Sequence, residues 1–447
     1  MGGLMFGYDI GISGGVSAMD DFLLKFFPNV YARKLIAHED NYCKYDDQML
    51  QLFTSSLYLA ALVSSFGASK ACSVLGRRPT IRLASVFFVV AALLSGLAPN
   101  KAVLIVGRIL FGVGVGFGNE SVPLFLSEVA PPHRRGAVNI MIALGLAAVP
   151  GIALFIGSFV IMETPSSLIE RGYEAEGKQS LQKVRGVDDV EHELEQIKHA
   201  SEQAKKVKQP FKKLMNRQSI PPLTISICVQ IFQQFTGINA IMFYAPLLFQ
   251  TMGFKNDGAL LSAVITGVVN VVSTFVSIVA VDRLGRRKLL LQACMQMLVC
   301  LVGSGVILEL HLKSVGTLDN KLATIVVVLV CLFVMSFAWS WGPMGWLIPS
   351  EVFPMETRTA GFAFAVSTNM LLTFLIAQAF LSMMCHMRAG IFFFFAGWVV
   401  VMGVFVWFLI PETKGVAIDE MEERVWKVHP VWKRFMPRDD GKGAELT

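Results

Sequence analysis

Apolar residues gather in this chain into runs of about 18 or more positions with very few charges, divided by short polar stretches, and a run of that length can cross a bilayer as a helix. The pattern predicts spans near 1–18, 51–71, 80–98, 103–126, 142–162, 222–251, 259–281, 289–310, 322–348, 361–384 and 389–410. The polar punctuation between them repeats. Gly76-Arg77-Arg78 returns as Gly285-Arg286-Arg287; Ser127-Glu128-Val129 with Pro131 and Arg135 returns as Ser350-Glu351-Val352 with Pro354 and Arg358, at the same spacing. Two related halves of a membrane protein imply a binding site between them.

Eleven spans is an odd number for two like halves. Gly361 precedes Pro411 by 50 positions, room for two spans, whereas Gly136 precedes the matching Glu163-Thr164-Pro165 by 27, room for one. The difference is about the length of one span. It marks a first-half helix as missing, with Met141-Ile142 as the junction.

Composition changes the picture only by excluding a water-clad fold: 54% of residues are hydrophobic and 16% charged, against about 25% charged in soluble domains. The net charge of +6 is topological and calls for no nucleic acid. Arg77-Arg78, Arg134-Arg135, Arg283 with Arg286-Arg287-Lys288, and the basic stretch Lys198 to Arg217 all read as cytoplasmic. The expected organisation is an incomplete first transmembrane half over 1–162 with an extracellular lid at about 19–48, a cytoplasmic helical linker over 163–220, a second half over 221–411 and a cytoplasmic tail over 412–447. Both flanks of 142–162 carry cytoplasmic-type charge, which one crossing cannot satisfy.

Two ions lie at membrane depth: Asp9 in LMFGYDIGISGG and Arg108 in VLIVGRILFGVGVGFG. An ion in lipid is costly, so each is expected to face the bundle interior. They form either a fixed structural pair or a proton switch, in which Arg108 holds Asp9 ionised and separation in a dry site makes the carboxylate take up a proton. Gly112, Gly114, Gly116 and Gly118 crowd the same run as Arg108, and small faces let helices approach closely. A second constellation is uncharged: Gln233, Gln234 and Asn239 in QQFTGIN, then Asn270, Trp346 and Asn369. Amides both donate and accept, as a polyol's hydroxyls do, and an aromatic plate can cover a pyranose face. Interhelical hydrogen bonding is the bland alternative.

The strings FGYDIGISGG, the paired GRR and SEV boxes, ETPSSLIERG, QQFTGINAIMFYAP, GPMGWLIPSE and PETKG together resemble the sugar porter family of the major facilitator superfamily. The long first outer loop with Cys43, and FAWSWGPMGWLIPSEVFP, are similar to the plant monosaccharide–proton symporters, the sugar transport proteins. The resemblance implies an all-α polytopic membrane protein with the major facilitator fold of two six-helix halves, here with about 11 transmembrane helices, lacking the fifth helix and the start of the first. It implies sugar contacts at Gln233, Gln234, Asn239, Asn270, Trp346 and Asn369, and proton coupling at Asp9 and Arg108. A conformational lock is implied at Arg77, Arg78, Glu128, Arg135, Arg286, Arg287, Glu351 and Arg358, and a disulfide between Cys43 and Cys385. Glu120 stands where relatives usually carry an amide.

The expected activity is proton-coupled hexose import by alternating access across the plasma membrane, impaired by the missing helix. The alternatives are a facilitative uniporter and a non-transporting sugar-binding, sensing or inactive product. Expected partners are hexose, proton and membrane lipid, with the protein a monomer. No metal spacing, cofactor motif or catalytic constellation is found: the P-loop-like Gly172 to Lys178 lacks its Ser/Thr and a preceding strand, so an enzyme is not expected.

Overall fold

Lipid offers the backbone no hydrogen-bonding partner, so a chain that crosses it must satisfy its N–H and C=O groups internally. The computed structural model describes residues 20–36, 47–129, 163–205, 210–242, 256–315, 319–354, 356–416 and 420–436. Among these, nine helical stretches are long and apolar enough to cross a membrane. They correspond to the predicted spans from 51–71 to 103–126 and from 222–251 to 389–410. The predicted spans 1–18 and 142–162, the junction Met141-Ile142, and Asp9, Cys43 and Arg135 lie outside the described residues.

Two short helices, α1 (Asp20–Phe26) and α2 (Pro28–Ile36), occupy the predicted lid. Phe22 and Phe27 set their rings 5.2 and 6.3 Å from that of Phe53, so the lid packs over one end of α3 (Gln48–Val74). The Asp47 side chain caps α3 by accepting from the Met49 and Leu50 N–H groups, both at 2.9 Å. After α4 (Arg77–Gly96), α5 (Lys101–Val129) packs against both α3 and α4. The approach of α5 to α3 depends on glycine: a Cβ at Gly112 would lie 2.1 Å from the Leu57 carbonyl oxygen, and one at Gly116 2.1 Å from the Ser64 hydroxyl.

Helices α6 (Pro165–Glu170), α7 (Glu174–Arg185) and α8 (Glu191–Lys205) lie in the predicted linker. Ile169, Leu181, Val190 and Leu194 give them a small core of their own. The second half contains α9 (Ile220–Phe235), α10 (Asn256–Leu284), α11 (Arg286–Val315), α12 (Asn320–Trp339), α13 (Trp341–Val352), α14 (Arg358–Met387) and α15 (Gly390–Leu409). Val268, Val272, Val276 and Val279 form an exposed stripe on α10 at helical spacing, the face a span presents to lipid rather than water. Helix α14 packs against α3 and α9 and so ties the halves together.

Two predicted spans are not single helices. The span at 222–251 breaks after Phe235, because Gly237 adopts φ +83°, and helix resumes over 238–242; glycine enters that region without steric cost. The span at 322–348 breaks at Ser340, whose φ and ψ of −131° and −89° separate α12 from α13. Its hydroxyl donates to the Ser336 carbonyl at 2.7 Å and its N–H to the Phe337 carbonyl at 3.1 Å, so the broken backbone keeps its partners.

Candidate functional site

Where α9, α13 and α14 meet, amides replace apolar side chains in a dry interior. Gln233, Asn369 and Gln230 are all buried. The Asn369 amide nitrogen donates to Gln230 Oε1 at 2.6 Å and to Gln233 Oε1 at 2.7 Å. Gln230 donates to the Gly345 carbonyl at 2.5 Å, and Gln233 to the Trp341 and Gly342 carbonyls at 3.0 Å each. Gly345 must lack a side chain here, since a Cβ would lie 2.3 Å from Gln233 Nε2. The cluster leaves one acceptor over: Asn369 Oδ1 is buried without a hydrogen-bond partner.

The remaining predicted contacts lie apart from this trio. Asn239 donates to Gln234 Oε1 at 2.6 Å across the Gly237 break, so these two form a pair of their own. Asn270 on α10 donates to the Met242 sulfur at 3.5 Å. Trp346 is half-buried, its ring 6.4 Å from that of Phe362. Arg108 is buried, donates from Nε to the Phe53 carbonyl at 3.3 Å and sets its guanidinium 4.6 Å from the Phe53 ring centre. Gln230 was not foreseen; its place three and four residues before Gln233 and Gln234, on the same helical face, was the available signal.

At the basic end of the bundle the repeat becomes geometry. Arg77 Nη2 lies 2.8 Å from Glu128 and Nη1 3.1 Å from Glu170. Glu163 accepts from the Arg77 and Arg78 N–H groups at 2.8 and 3.0 Å, and the Thr164 hydroxyl donates to Glu128 at 2.7 Å. The second half repeats the pairings of Glu128, Glu163 and Thr164. Arg286 Nη2 lies 2.7 Å from Glu351, Glu412 accepts from the Arg286 and Arg287 N–H groups at 2.9 and 3.2 Å, and Thr413 donates to Glu351 at 2.8 Å. Each of Glu163 and Glu412 thus sits on a helix N-terminus, where unpaired N–H groups and the helix dipole favour an anion. Gly76 and Gly285 hold φ of +96° and +89°, and a Cβ at Gly285 would strike Glu412 at 2.4 Å. Arg358 of the second half reaches the first cluster, its Nη1 lying 3.8 Å from Glu128. The sequence marked Glu163, Thr164, Glu412 and Thr413 only as span ends; their partnership with the arginines was missed.

Hydroxyls and amides also join the halves along α3 and α14. Ser55 donates to Gln378 at 2.7 Å, the Ser65 and Ser367 hydroxyls lie 2.7 Å apart, and those of Ser73 and Thr359 3.4 Å apart. Cys385 is disulfide-bonded, while Cys72, Cys228, Cys294, Cys300 and Cys331 are free.

The family profile described as "Sugar (and other) transporter" matches residues 1–144 and 139–425, two pieces that meet around Met141-Ile142. Sugar transport protein 8 of Arabidopsis thaliana is 59% identical over 473 residues, covering 100% of this chain and 93% of the relative. Sugar transport protein MST4 of Oryza sativa subsp. japonica is 54% identical over 468 residues, with 98% and 91% covered. The first of these alignments is 26 residues longer than the 447-residue chain, so the relative holds positions with no counterpart here. In architecture the chain is similar to the proton:xylose symporter XylE bound to 6-bromo-6-deoxy-D-glucose, a major facilitator superfamily protein. The TM-score is 0.79 at 24% identity, covering 94% of this chain and 96% of that one. A partially occluded inward open conformation of the xylose transporter XylE from E. coli gives 0.70 at 21%, covering 92% and 97%. The chain is a multi-pass membrane protein of the major facilitator fold and belongs to the sugar transporter family, a family of carriers and not of enzymes.

Proposed function

We propose that the chain is built to import a hexose together with a proton across the plasma membrane. The observation that carries the sugar site is the buried Asn369 Oδ1, an acceptor with no donor among the described residues in an otherwise satisfied amide cluster of the second half. A sugar hydroxyl supplies that donor and removes the cost of an unpaired buried oxygen. Gln233, Gln234, Asn239, Asn270 and Trp346 complete the site when the halves close on the ligand. The names of the relatives, sugar transport proteins, and of the similar fold, a proton:xylose symporter, support both the substrate class and the coupling.

Coupling is assigned to Asp9 and Arg108, with Arg108 buried in α5 as the fixed cation. Glu128, bound by Arg77 of its own half and Arg358 of the other, is the lock that holds the cytoplasmic ends together while the outer side is open. Alternating access then consists of exchanging that contact for closure of the halves around the sugar.

The test is hexose uptake into proteoliposomes under an inward proton gradient, by the chain carrying an apolar segment of about 20 residues between Met141 and Ile142. Uptake is expected to be uphill and abolished by an uncoupler, with Asp9→Asn losing accumulation and retaining sugar binding. Gln233→Ala and Asn369→Ala are each expected to weaken sugar binding by about 1–3 kcal/mol. Unchanged affinity in both amide variants would show that the cluster is interhelical glue.

A further inference from the structure

Glu120 is a carboxyl group for which the foregoing reading has no use. It lies on α5, is 0% exposed, and among the described residues neither of its carboxylate oxygens has a hydrogen-bond partner. Two neighbouring polar atoms share that condition: Asn119 Nδ2 and Arg77 Nε are also buried and unpartnered. An ionised carboxylate without water or a donor is among the most costly groups a protein interior can hold, and such a group takes up a proton instead. Among the described residues, the Arg77 guanidinium at the start of α4 acts on it electrostatically, and it acts in turn on the Cys72 thiol near the end of α3. Of the second-half charges near this end of α5, Arg358 is turned to Glu128 and Glu351 to Arg286.

Its place along the helix gives the proton a direction. Glu120 lies twelve residues beyond Arg108 and eight before Glu128, about 18 and 12 Å along the axis at 1.5 Å per residue. It therefore stands between the cation assigned to coupling and the charge cluster at the basic end, inside the protein rather than against lipid.

We propose that Glu120 is a second proton-binding site, a relay station in the first half between Arg108 and the Arg77–Glu128 cluster. Uptake forms one O–H bond on a carboxylate oxygen. Release returns the proton to water admitted from the basic end when that cluster opens, and no other bond changes. Proton binding at Glu120 stands on its own burial; that the bound proton is one travelling with sugar rests on the symport reading above.

The experiment is pH-difference infrared spectroscopy on the purified full chain, beside Glu120→Gln and Glu120→Asp. The parent is expected to show the carbonyl-stretch band of a buried protonated carboxyl that bleaches as pH is raised. The band should be absent from the Gln variant and displaced in the Asp variant. An identical band in the parent and the Gln variant would overturn the site, as would a band that never bleaches over the range in which the fold survives. In the chain carrying an apolar segment of about 20 residues between Met141 and Ile142, Glu120→Gln is expected to shift the pH dependence of proton-driven uptake, and an unchanged profile would overturn the relay. Absence of proton-driven uptake from that chain counts against the symport reading, while the infrared result still decides the proton site.

Discussion

At the basic end of the bundle the two halves close on nearly the same charge cluster, yet they are tied into the protein differently. In each, a glycine in the left-handed region turns an arginine pair into a helix start, and a glutamate from further along the chain caps that start. A threonine next to that glutamate then steadies the buried Glu–Arg pair. The clusters differ in their outside partners. Glu128 holds both Arg77 of its own half and Arg358 of the other, whereas Glu351, among the described residues, serves Arg286 and Thr413 within its own half. The repeat supplies a similar corner to each half, and the contact of Arg358 with Glu128 sets the first corner apart; on the proposed reading it is the latch. The spans above the corners differ as well, since the first half holds one apolar run where the second holds two.

The largest effect is expected from that inequality. Inserting an apolar segment of about 20 residues between Met141 and Ile142 gives the first half its second crossing there and satisfies the charge on both flanks. Proton-driven hexose uptake should rise from little or none to robust, and cysteine-accessibility mapping should place the linker 163–220 on the cytoplasmic side. Robust uptake by the chain as it stands, with the linker already cytoplasmic, would refute the missing helix.

Next in size is the latch. Glu128→Ala takes one carboxylate from two buried guanidinium groups, of which Arg77 keeps Glu170, and breaking a buried pair typically costs about 3–5 kcal/mol. Glu351→Ala, among the described residues, takes a carboxylate from Arg286 alone, which keeps Asp282 at 3.5 Å. Thermal unfolding in detergent should therefore show the larger loss for Glu128→Ala, together with faster cross-linking of cysteines placed where only the opened basic end exposes them. Equal losses for the two variants, with no change in exposure, would make both glutamates merely structural.

Length and hydropathy made nine described spans legible, because the bilayer sets both. The breaks at Gly237 and Ser340 were not, since neither interrupts the apolar run that a span requires. The repeat likewise exposed Arg77 with Glu128 and Arg286 with Glu351, but it showed Glu163 and Glu412 only as punctuation. Their role depends on where the chain returns in space. In the amide site Gln233 and Asn369 do meet, while Asn270 is bonded to Met242 and the Trp346 ring lies against Phe362. Which amides share one cavity depends on packing angles that spacing does not encode.

Packing offers a third, smaller test of the unequal halves. Gly112→Ala presses a methyl group on the Leu57 backbone oxygen, which cannot step aside, so a cost of about 1–3 kcal/mol is expected. Gly397 on α15 has nothing within 4 Å of its ideal Cβ, and Gly397→Ala should leave thermal stability unchanged or slightly higher. A neutral Gly112→Ala would mean that α3 and α5 are not held at glycine distance.

The smallest effect concerns what roofs the second corner. Trp432 in the tail donates from its indole N–H to the Leu409 carbonyl at 2.7 Å, and the Val431 N–H points at His429 Nδ1 at 3.3 Å. That nitrogen must be bare to accept, so the docked tail needs a neutral imidazole. Burial lowers the His429 pKa below its ordinary value, and the positive charge of Arg287 lowers it further. The docked state therefore binds fewer protons than the undocked one in the window just below about pH 6.5, and its stability rises with pH through that window. Acidification should loosen the tail, read as faster hydrogen exchange at Trp432, and His429→Gln should remove the pH step. Persistence of the step in that variant would assign it to another group.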